Sequence, residues 1–310
     1  MRMFTIIRDL IKGNPKRKPA RPIPMELIDS GTMTCNQNSK VIWFGHSTLL
    51  LEIEGKKLLL DPTFANSPSP FPLFGGKRFS KVLPIQPEKL PLIDVAILSH
   101  DHYDHLDYHS IMKIKDKTSL FCVPQGVGRR LESWGITKEK IKEFHWWNEL
   151  DLAGLTLACT PARHFSGRGL FDRNTTLWCS WAIIGQQTRI YFSGDGGYGP
   201  HFAEIGEKYG PFDLTLMECG QYDKRWSDIH MIPEETVQAH LDVKGNMMIP
   251  IHWAAFSLAF HDWTEPIERV TKAAKERNVS ISTPKIGEAV TIGAAEYPTS
   301  IWWRSEGSSN

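Results

Sequence analysis

The sequence lacks several features that would assign it to a special class of protein. Its five cysteines, Cys35, Cys122, Cys159, Cys179 and Cys219, are scattered, odd in number and without a C-x-x-C pair. That spacing supports neither a disulfide framework nor a thiolate metal site, and it fits a reducing cytoplasm. No apolar run approaches the roughly 20 residues that cross a bilayer. Arg8 and Asp9 also interrupt the N-terminal apolar stretch before it could form a signal-peptide core. Charge of one sign is missing as well: 36 basic residues against 35 acidic ones leave a formal net charge of +1, which gives no case for nucleic acid as a partner. Repeats and low-complexity segments are not seen. With 41% hydrophobic and 11% aromatic residues the chain has ample material for a core.

Charge is uneven at the start. The first twenty-one residues hold Arg2, Arg8, Lys12, Lys16, Arg17, Lys18 and Arg21 against one acid, Asp9. Phe4, Ile7 and Ile11 sit at helical spacing, so residues 1–35 read either as a basic amphipathic anchor at the inner face of a membrane or as an arm packed on the body. Residues 36–310 read as a single domain. Apolar runs at 41–44, 48–53, 57–60 and 95–98 predict strands, the second and third joined by a Glu54-Gly55 hairpin. Further strands are expected at 120–123, 155–160, 177–184, 189–192, 213–217 and 247–251, and helices at 126–134, 200–208, 233–241 and 265–277. Strands in blocks with helices between them predict an α/β fold of two mixed β-sheets packed face to face under outer helices, an αββα four-layer sandwich.

The stretch that carries chemistry is Ser99-His100-Asp101-His102-Tyr103-Asp104-His105-Leu106-Asp107, directly after the apolar run Val95-Ala96-Ile97-Leu98. Three imidazoles and a carboxylate within six residues suit Zn²⁺, and one loop cannot turn them all onto a single tetrahedral ion. Three more polar residues stand where strands end: His164, Asp195 in Ser193-Gly194-Asp195-Gly196-Gly197, and His252 after Ile249-Pro250-Ile251. Two zinc ions need three ligands each and a bridge. His100, His102 and His164, then Asp104, His105 and His252, with Asp195 shared, supply that number. Mn²⁺ or Fe²⁺ fits the same donors. His109, His145, His201, His240 and His261 lack such settings. The loop at 64–79 carries Phe64, Phe71, Phe74 and Phe79, and an aromatic loop of that length reads as a functional segment or a packed flap.

With these residues in place, the chain resembles the metallo-β-lactamase fold superfamily, marked by H-x-H-x-D-H followed by His, Asp and His in this order. A narrower resemblance, from about residue 41 to 288, is to the N-acyl-phosphatidylethanolamine-hydrolysing phospholipase D group. It rests on Gly45-His46-Ser47-Thr48, Asp61-Pro62, Gly76-Lys77-Arg78-Phe79, the loop at 99–108, Gly194-Asp195-Gly196-Gly197-Tyr198, Gly210-Pro211-Phe212-Asp213 and Ile251-His252-Trp253. Arg225-Trp226 through His230 to Pro233-Glu234-Glu235 is also similar, which implies a place for His230 near the scissile phosphate. The match is partial over 64–79 and at the start of the chain, where the animal enzyme builds its lipid contacts.

The resemblance implies a binuclear zinc phosphodiesterase acting on an N-acyl-phosphatidylethanolamine or a related glycerophospholipid. Asp104, Asp195 and His230 would be its catalytic groups, with His230 either the acid or the phosphate anchor. His46 and Asp61 would support the metal ligands from behind, and Phe64, Phe71, Phe74 and Phe79 would contact acyl chains. A lactonase or other carbonyl hydrolase on the same fold is the alternative. Expected partners are the phospholipid or a small phosphodiester, a peripheral membrane surface and a second copy in a homodimer.

Overall fold

The computed structural model describes residues 5, 8–9, 13–29, 39–69 and 76–304. Side-chain alternation along the strands decides the layering, because successive residues point to opposite faces of a sheet. In β1 (Lys40–Trp43), β2 (Leu49–Ile53) and β3 (Lys56–Leu60), the residues Val41, Trp43, Leu49, Leu51, Leu58 and Leu60 enter one core. Their neighbours Ile42, Leu50 and Leu59 enter another on the far side. The next strands, β4 (Ile93–Ile97) and β5 (Thr118–Pro124), repeat the split, with Val95, Ile97 and Cys122 inward and Ala96 and Phe121 outward. With β6 (Ile141–Phe144) and the late β14 (Ala289–Thr291) they form a seven-stranded sheet in the order β14-β1-β2-β3-β4-β5-β6.

The second seven-stranded sheet runs β13-β12-β11-β10-β9-β8-β7. Its strands are β7 (Glu149–Leu152), β8 (Leu155–Thr160), β9 (Ser180–Ile184), β10 (Arg189–Phe192), β11 (Phe212–Glu218), β12 (Gly245–Ile251) and β13 (Ser280–Ile281). Each sheet is antiparallel over its first strands and becomes parallel at β3–β4 and at β10–β11. Outside the first sheet, α1 (Tyr108–Ile114) and α2 (Gly128–Ser133) bury Ile111, Ile114 and Leu131. Outside the second, α3 (His201–Tyr209), α4 (Pro233–Asp242) and α5 (Glu265–Glu276) bury Phe202, Ile205, Val237, Ile267 and Val270. The result is the expected αββα sandwich of two mixed sheets.

Differences from the sequence-based expectation have local causes. The run at 177–184 becomes a strand only from Ser180, because the N–H groups of Leu177 and Cys179 donate to the carbonyls of Gln125 and Ser99 at the ends of first-sheet strands. β6, β7, β13 and β14 were not expected, and each is the outermost strand of its sheet. Residues 13–29 lie along the body: Ile23 is buried, Met25 bridges Ile286, and the N–H of Trp263 donates to the Lys16 carbonyl. Most of the amphipathic segment 1–12 lies outside the described residues, as do Phe71 and Phe74. Among the described residues, no helix is long and apolar enough to cross a membrane.

Candidate metal centre

The parallel strands β3, β4, β10, β11 and β12 bring Asp61, Ser99-His100, Asp195, Glu218 and His252 together where the chain leaves them, the place where α/β sheets generally bind ligands. The scaffold around that edge is stiff. Trp43 Nε1 donates to the His46 carbonyl (2.8 Å), and His46 and His252 exchange backbone links, His252 N to His46 O and His46 N to Trp253 O, both 2.9 Å. Behind them Trp253 stacks on Trp43 and Trp302 with centroids 5.5 and 5.1 Å apart. His46, Asp61, Gln221, His252 and Ala254 all take positive φ, between 38° and 66°. Such backbone costs non-glycine residues energy and persists only where surrounding contacts impose it.

The loop at 99–107 is shaped from both sides. Asp107 caps α1 by accepting from Ser110 N at 2.8 Å, and the N–H of Leu106 donates to His102 O at 2.8 Å. Arg168 donates to the carbonyls of Asp101 and Leu106 at 2.7 and 2.6 Å. Asp101, fully buried, turns away from the histidines and accepts from Arg130 and from Gly167 N.

His100 Nε2 lies 2.9 Å and His164 Nε2 3.2 Å from His102 Nδ1, so three imidazole nitrogens converge on one point. The second nitrogens of two of them are engaged: His164 Nδ1 is 2.9 Å from the Ile229 carbonyl, and His100 Nδ1 is 2.9 Å from Ser99 Oγ. Beside this trio, His105, Asp104 and His252 gather with His46. Asp195 stands between the two groups, its Oδ2 3.0 Å from His105 Nε2, 3.9 Å from His100 Nε2 and 4.0 Å from His164 Nε2, and its Oδ1 3.1 Å from His252 Nδ1.

An imidazole and a carboxylate act from behind. His46 Nε2 bonds Asp104 Oδ2 at 2.8 Å. Asp61 is wholly buried and accepts three bonds, from Ser99 N (2.7 Å), Ser99 Oγ (2.5 Å) and His105 Nδ1 (2.6 Å). This keeps a proton on His105 Nδ1 and turns Nε2 toward Asp195 and the centre.

Electrostatics follow from this packing. Burial pushes the imidazoles of His100, His164 and His252 well below the ordinary histidine range. Burial opposes a charge on His105 too, yet the carboxylates of Asp195, Asp104 and Asp61 hold it well above that range. Asp104 and Asp195 also resist burial, and their imidazole neighbours keep both ionised. Among the described residues, four buried polar atoms of the cluster have no hydrogen-bond partner: His46 Nδ1, His105 Nε2, His252 Nε2 and Asp195 Oδ1. The neutral imidazoles of His100, His164 and His252 and the ionised carboxylates offer the lone pairs a divalent cation needs, a cation would take the place of the proton on His105, and buried atoms of this kind are rarely left unpaired without reason. The residues fit a metal.

Glu218, at the end of β11 and wholly buried, is a site residue that the sequence reading missed. Its Oε1 accepts from Gly196 N and Met231 N at 3.1 and 3.0 Å, and its Oε2 lies 2.8 Å from His230 Nδ1. Burial pushes its carboxyl up to about 7, against the pull of His230. Burial also opposes a charge on His230, but Glu218 lifts its imidazole above the ordinary value. His230 lines a cavity of about 240 Å³ over the cluster, together with His102, Asp104, His164, Asp195 and His252 and the apolar Phe165, Trp226 and Leu258.

Phe64 and Phe79 do not line this cavity. Phe64 is buried edge-on against Phe44 and borders a separate hollow of about 660 Å³ beside Tyr103 and Tyr108. Phe79 packs edge-on against Trp263. His240 is buried against Thr215 Oγ1, and His261 Nε2 accepts from Gln221 N.

Comparison with known proteins agrees with this architecture. Residues 56–253 match the model of the beta-lactamase superfamily domain. An uncharacterized protein of Mycobacterium tuberculosis is 44% identical over 305 residues, covering 96% of this chain and 80% of its own length. An N-acyl-phosphatidylethanolamine-hydrolyzing phospholipase D of Caenorhabditis elegans is 35% identical over 283 residues, 86% of this chain and 79% of its own. Among solved structures, the metallo-hydrolase Igni18 of Ignicoccus hospitalis superposes with a TM-score of 0.61 at 22% identity, over 83% of this chain and 99% of that one. An isothiocyanate hydrolase from Delia radicum gut bacteria gives 0.65 at 20% identity, over 82% and 98%. The chain therefore belongs to the metallo-β-lactamase fold superfamily, as a metal-dependent hydrolase of its N-acyl-phosphatidylethanolamine-hydrolysing phospholipase D-like group.

Proposed function

We propose that the protein is a binuclear zinc phosphodiesterase of the phospholipase D type, acting on an N-acyl-phosphatidylethanolamine or a related glycerophospholipid. One observation carries the reading. The donors fall into two sets, His100, His102 and His164 on one side and Asp104, His105 and His252 on the other, with the carboxylate of Asp195 within 4.0 Å of ring nitrogens from both. Zinc in the two sets would polarise a phosphoryl oxygen and lower the pKa of water toward neutrality; Mn²⁺ or Fe²⁺ could substitute. The activity for which the worm relative is named supports the diester as substrate.

The chain's own groups then divide the work. Asp61 and His46 orient His105 and Asp104 and hold their lone pairs toward the centre. Cleavage of the bond between phosphorus and the leaving alkoxide oxygen requires a proton for that oxygen, and we assign His230 to give it. Its Nδ1 is held by Glu218, its Nε2 is the remaining nitrogen, and the Glu218 carboxylate favours its protonated form. The apolar side chains of Phe165, Trp226 and Leu258 would flank the lipid's glycerol and acyl portions. Four free, buried thiols, Cys122, Cys159, Cys179 and Cys219, support the cytoplasm as the working compartment.

The test is turnover of bis(p-nitrophenyl) phosphate by the metal-loaded protein set against ring opening of simple lactones. Diester turnover without lactone opening supports the proposal. Lactone opening without diester turnover overturns it in favour of a carbonyl hydrolase.

A further inference from the structure

The two most exposed large hydrophobic side chains among the described residues are neighbours: Leu170 is 90% and Phe171 97% exposed. They form the apex of a loop that starts just past His164. The loop is not loose. Asp172 accepts from Arg168 N and Gly169 N at 3.0 and 2.7 Å and from Arg130 Nη2 at 2.7 Å. Asn174 N donates to Ser166 O at 2.9 Å, closing the base, and Gly167 N donates to Asp101 within the histidine loop at 2.8 Å. The chain therefore spends several hydrogen bonds on holding an apolar pair out in water, an arrangement that soluble surfaces rarely maintain without a partner.

The surroundings favour one partner. Arg173 and Arg129 are both exposed and, among the described residues, neither forms an ion pair with a carboxylate. Arg173 lies over the Phe165 ring at 4.1 Å, and Phe165 lines the cavity above the metal ligands. Arg129 and Arg130 share a hollow of about 710 Å³ with Asn174 and Thr175 of the same loop. Apolar side chains at an apex with cations set back behind them match the layering of an anionic bilayer, acyl region first and phosphates above it.

We propose that residues 167–173 dock the protein on an anionic phospholipid surface, with Leu170 and Phe171 entering the acyl boundary and Arg173 and Arg129 meeting the phosphates, so that the cavity mouth faces the lipid. The benefit to catalysis rests on the phospholipid reading above; the docking does not. The full chain is sedimented with vesicles of phosphatidylcholine and phosphatidylglycerol, and compared with the double variant Leu170→Ser, Phe171→Ser and the single variant Arg173→Glu. The double variant is expected to partition about tenfold more weakly, since membrane affinity scales with buried apolar area. Arg173→Glu is expected to lose the preference for phosphatidylglycerol. Turnover of soluble bis(p-nitrophenyl) phosphate should be unchanged by Leu170→Ser, Phe171→Ser, which shows the variant folded. Vesicle binding equal in parent and double variant, or none by the parent, overturns the docking. So does a loss of self-association in the double variant with unchanged vesicle binding, which makes the pair a contact between copies. Failure of diester turnover with vesicle binding intact overturns the enzymatic reading alone.

Discussion

Asp61→Asn isolates the support behind the metal ligands from the ligands themselves. The substitution is nearly isosteric in a fully buried position, so packing is kept and only the charge and hydrogen-bond pattern change. Asp61 accepts all three of its bonds, from Ser99 N, Ser99 Oγ and His105 Nδ1. An amide offers one acceptor oxygen and one NH₂ donor group. If the oxygen stays on Ser99 N, the NH₂ faces His105 Nδ1, which must then accept, and the proton of His105 moves to Nε2. A protonated Nε2 cannot bind a cation. Loss of one charge-assisted bond is worth about 1.5–3 kcal/mol, and at 1.36 kcal/mol per decade that is roughly ten- to a hundred-fold in metal affinity, the range usual for such supporting groups. The assay is chelator competition for Zn²⁺ with kcat/KM on a soluble diester, alongside denaturant unfolding of metal-free protein. Metal affinity and kcat/KM should fall together while the metal-free midpoint moves little. Unchanged affinity in Asp61→Asn refutes the tautomer argument. The wider ranking of the cluster fails if His46→Ala retains no metal while His102→Ala does.

Other outcomes follow from the same geometry. His230→Gln should lower kcat about a hundred-fold or more on an alkyl phosphodiester but less than about tenfold on bis(p-nitrophenyl) phosphate, because p-nitrophenolate leaves without a proton. Equal losses on both would make His230 an anchor. Trp181, buried between the sheets, donates Nε1 to the Leu98 carbonyl at 2.9 Å just before the histidine loop. Trp181→Phe should cost about 1–3 kcal/mol by leaving that carbonyl only the weak Cys179 thiol at 3.8 Å, read as a lower denaturant midpoint. Buried His240 has its imidazole pushed down to about 4 from 6.5 by burial. Its unfolded form therefore binds a proton first: the stability it contributes is whole above pH 6.5 and is lost as pH falls toward 4. Between pH 7 and pH 5 that amounts to about 2 kcal/mol, and urea titrations should show the stability of His240→Gln falling by about that much less than the parent's over this interval.

What the sequence made legible and what it hid have one physical origin. Strands buried on both faces, such as β4 and β12, are nearly continuous apolar runs, and a polar residue at their end stands out. That contrast alone marks His100, Asp195 and His252 in the chain. Glu218 carries the same mark after Leu214-Thr215-Leu216-Met217, but a glutamate ending a strand is ordinary until its neighbours are known. Its burial and its contact with His230, twelve residues on, are tertiary facts. β6, β7, β13 and β14 were hidden because outermost strands have few buried positions: Ile141-Lys142-Glu143-Phe144 and Glu149-Leu150-Asp151-Leu152 carry the charges that keep sheet edges from pairing with other chains. Phe64 and Phe79 show the converse. An aromatic-rich loop signals importance without saying whether its rings face a ligand or a core, and both rings are packed against other aromatics.

The most direct measurement is mass spectrometry of the products formed from mixed phospholipids by the zinc-loaded protein in H₂¹⁸O. Attack of water at phosphorus predicts phosphatidate carrying one ¹⁸O together with unlabelled N-acylethanolamine. Labelled fatty acid in place of phosphatidate, or no lipid product beside active opening of a carbonyl substrate, would contradict the account.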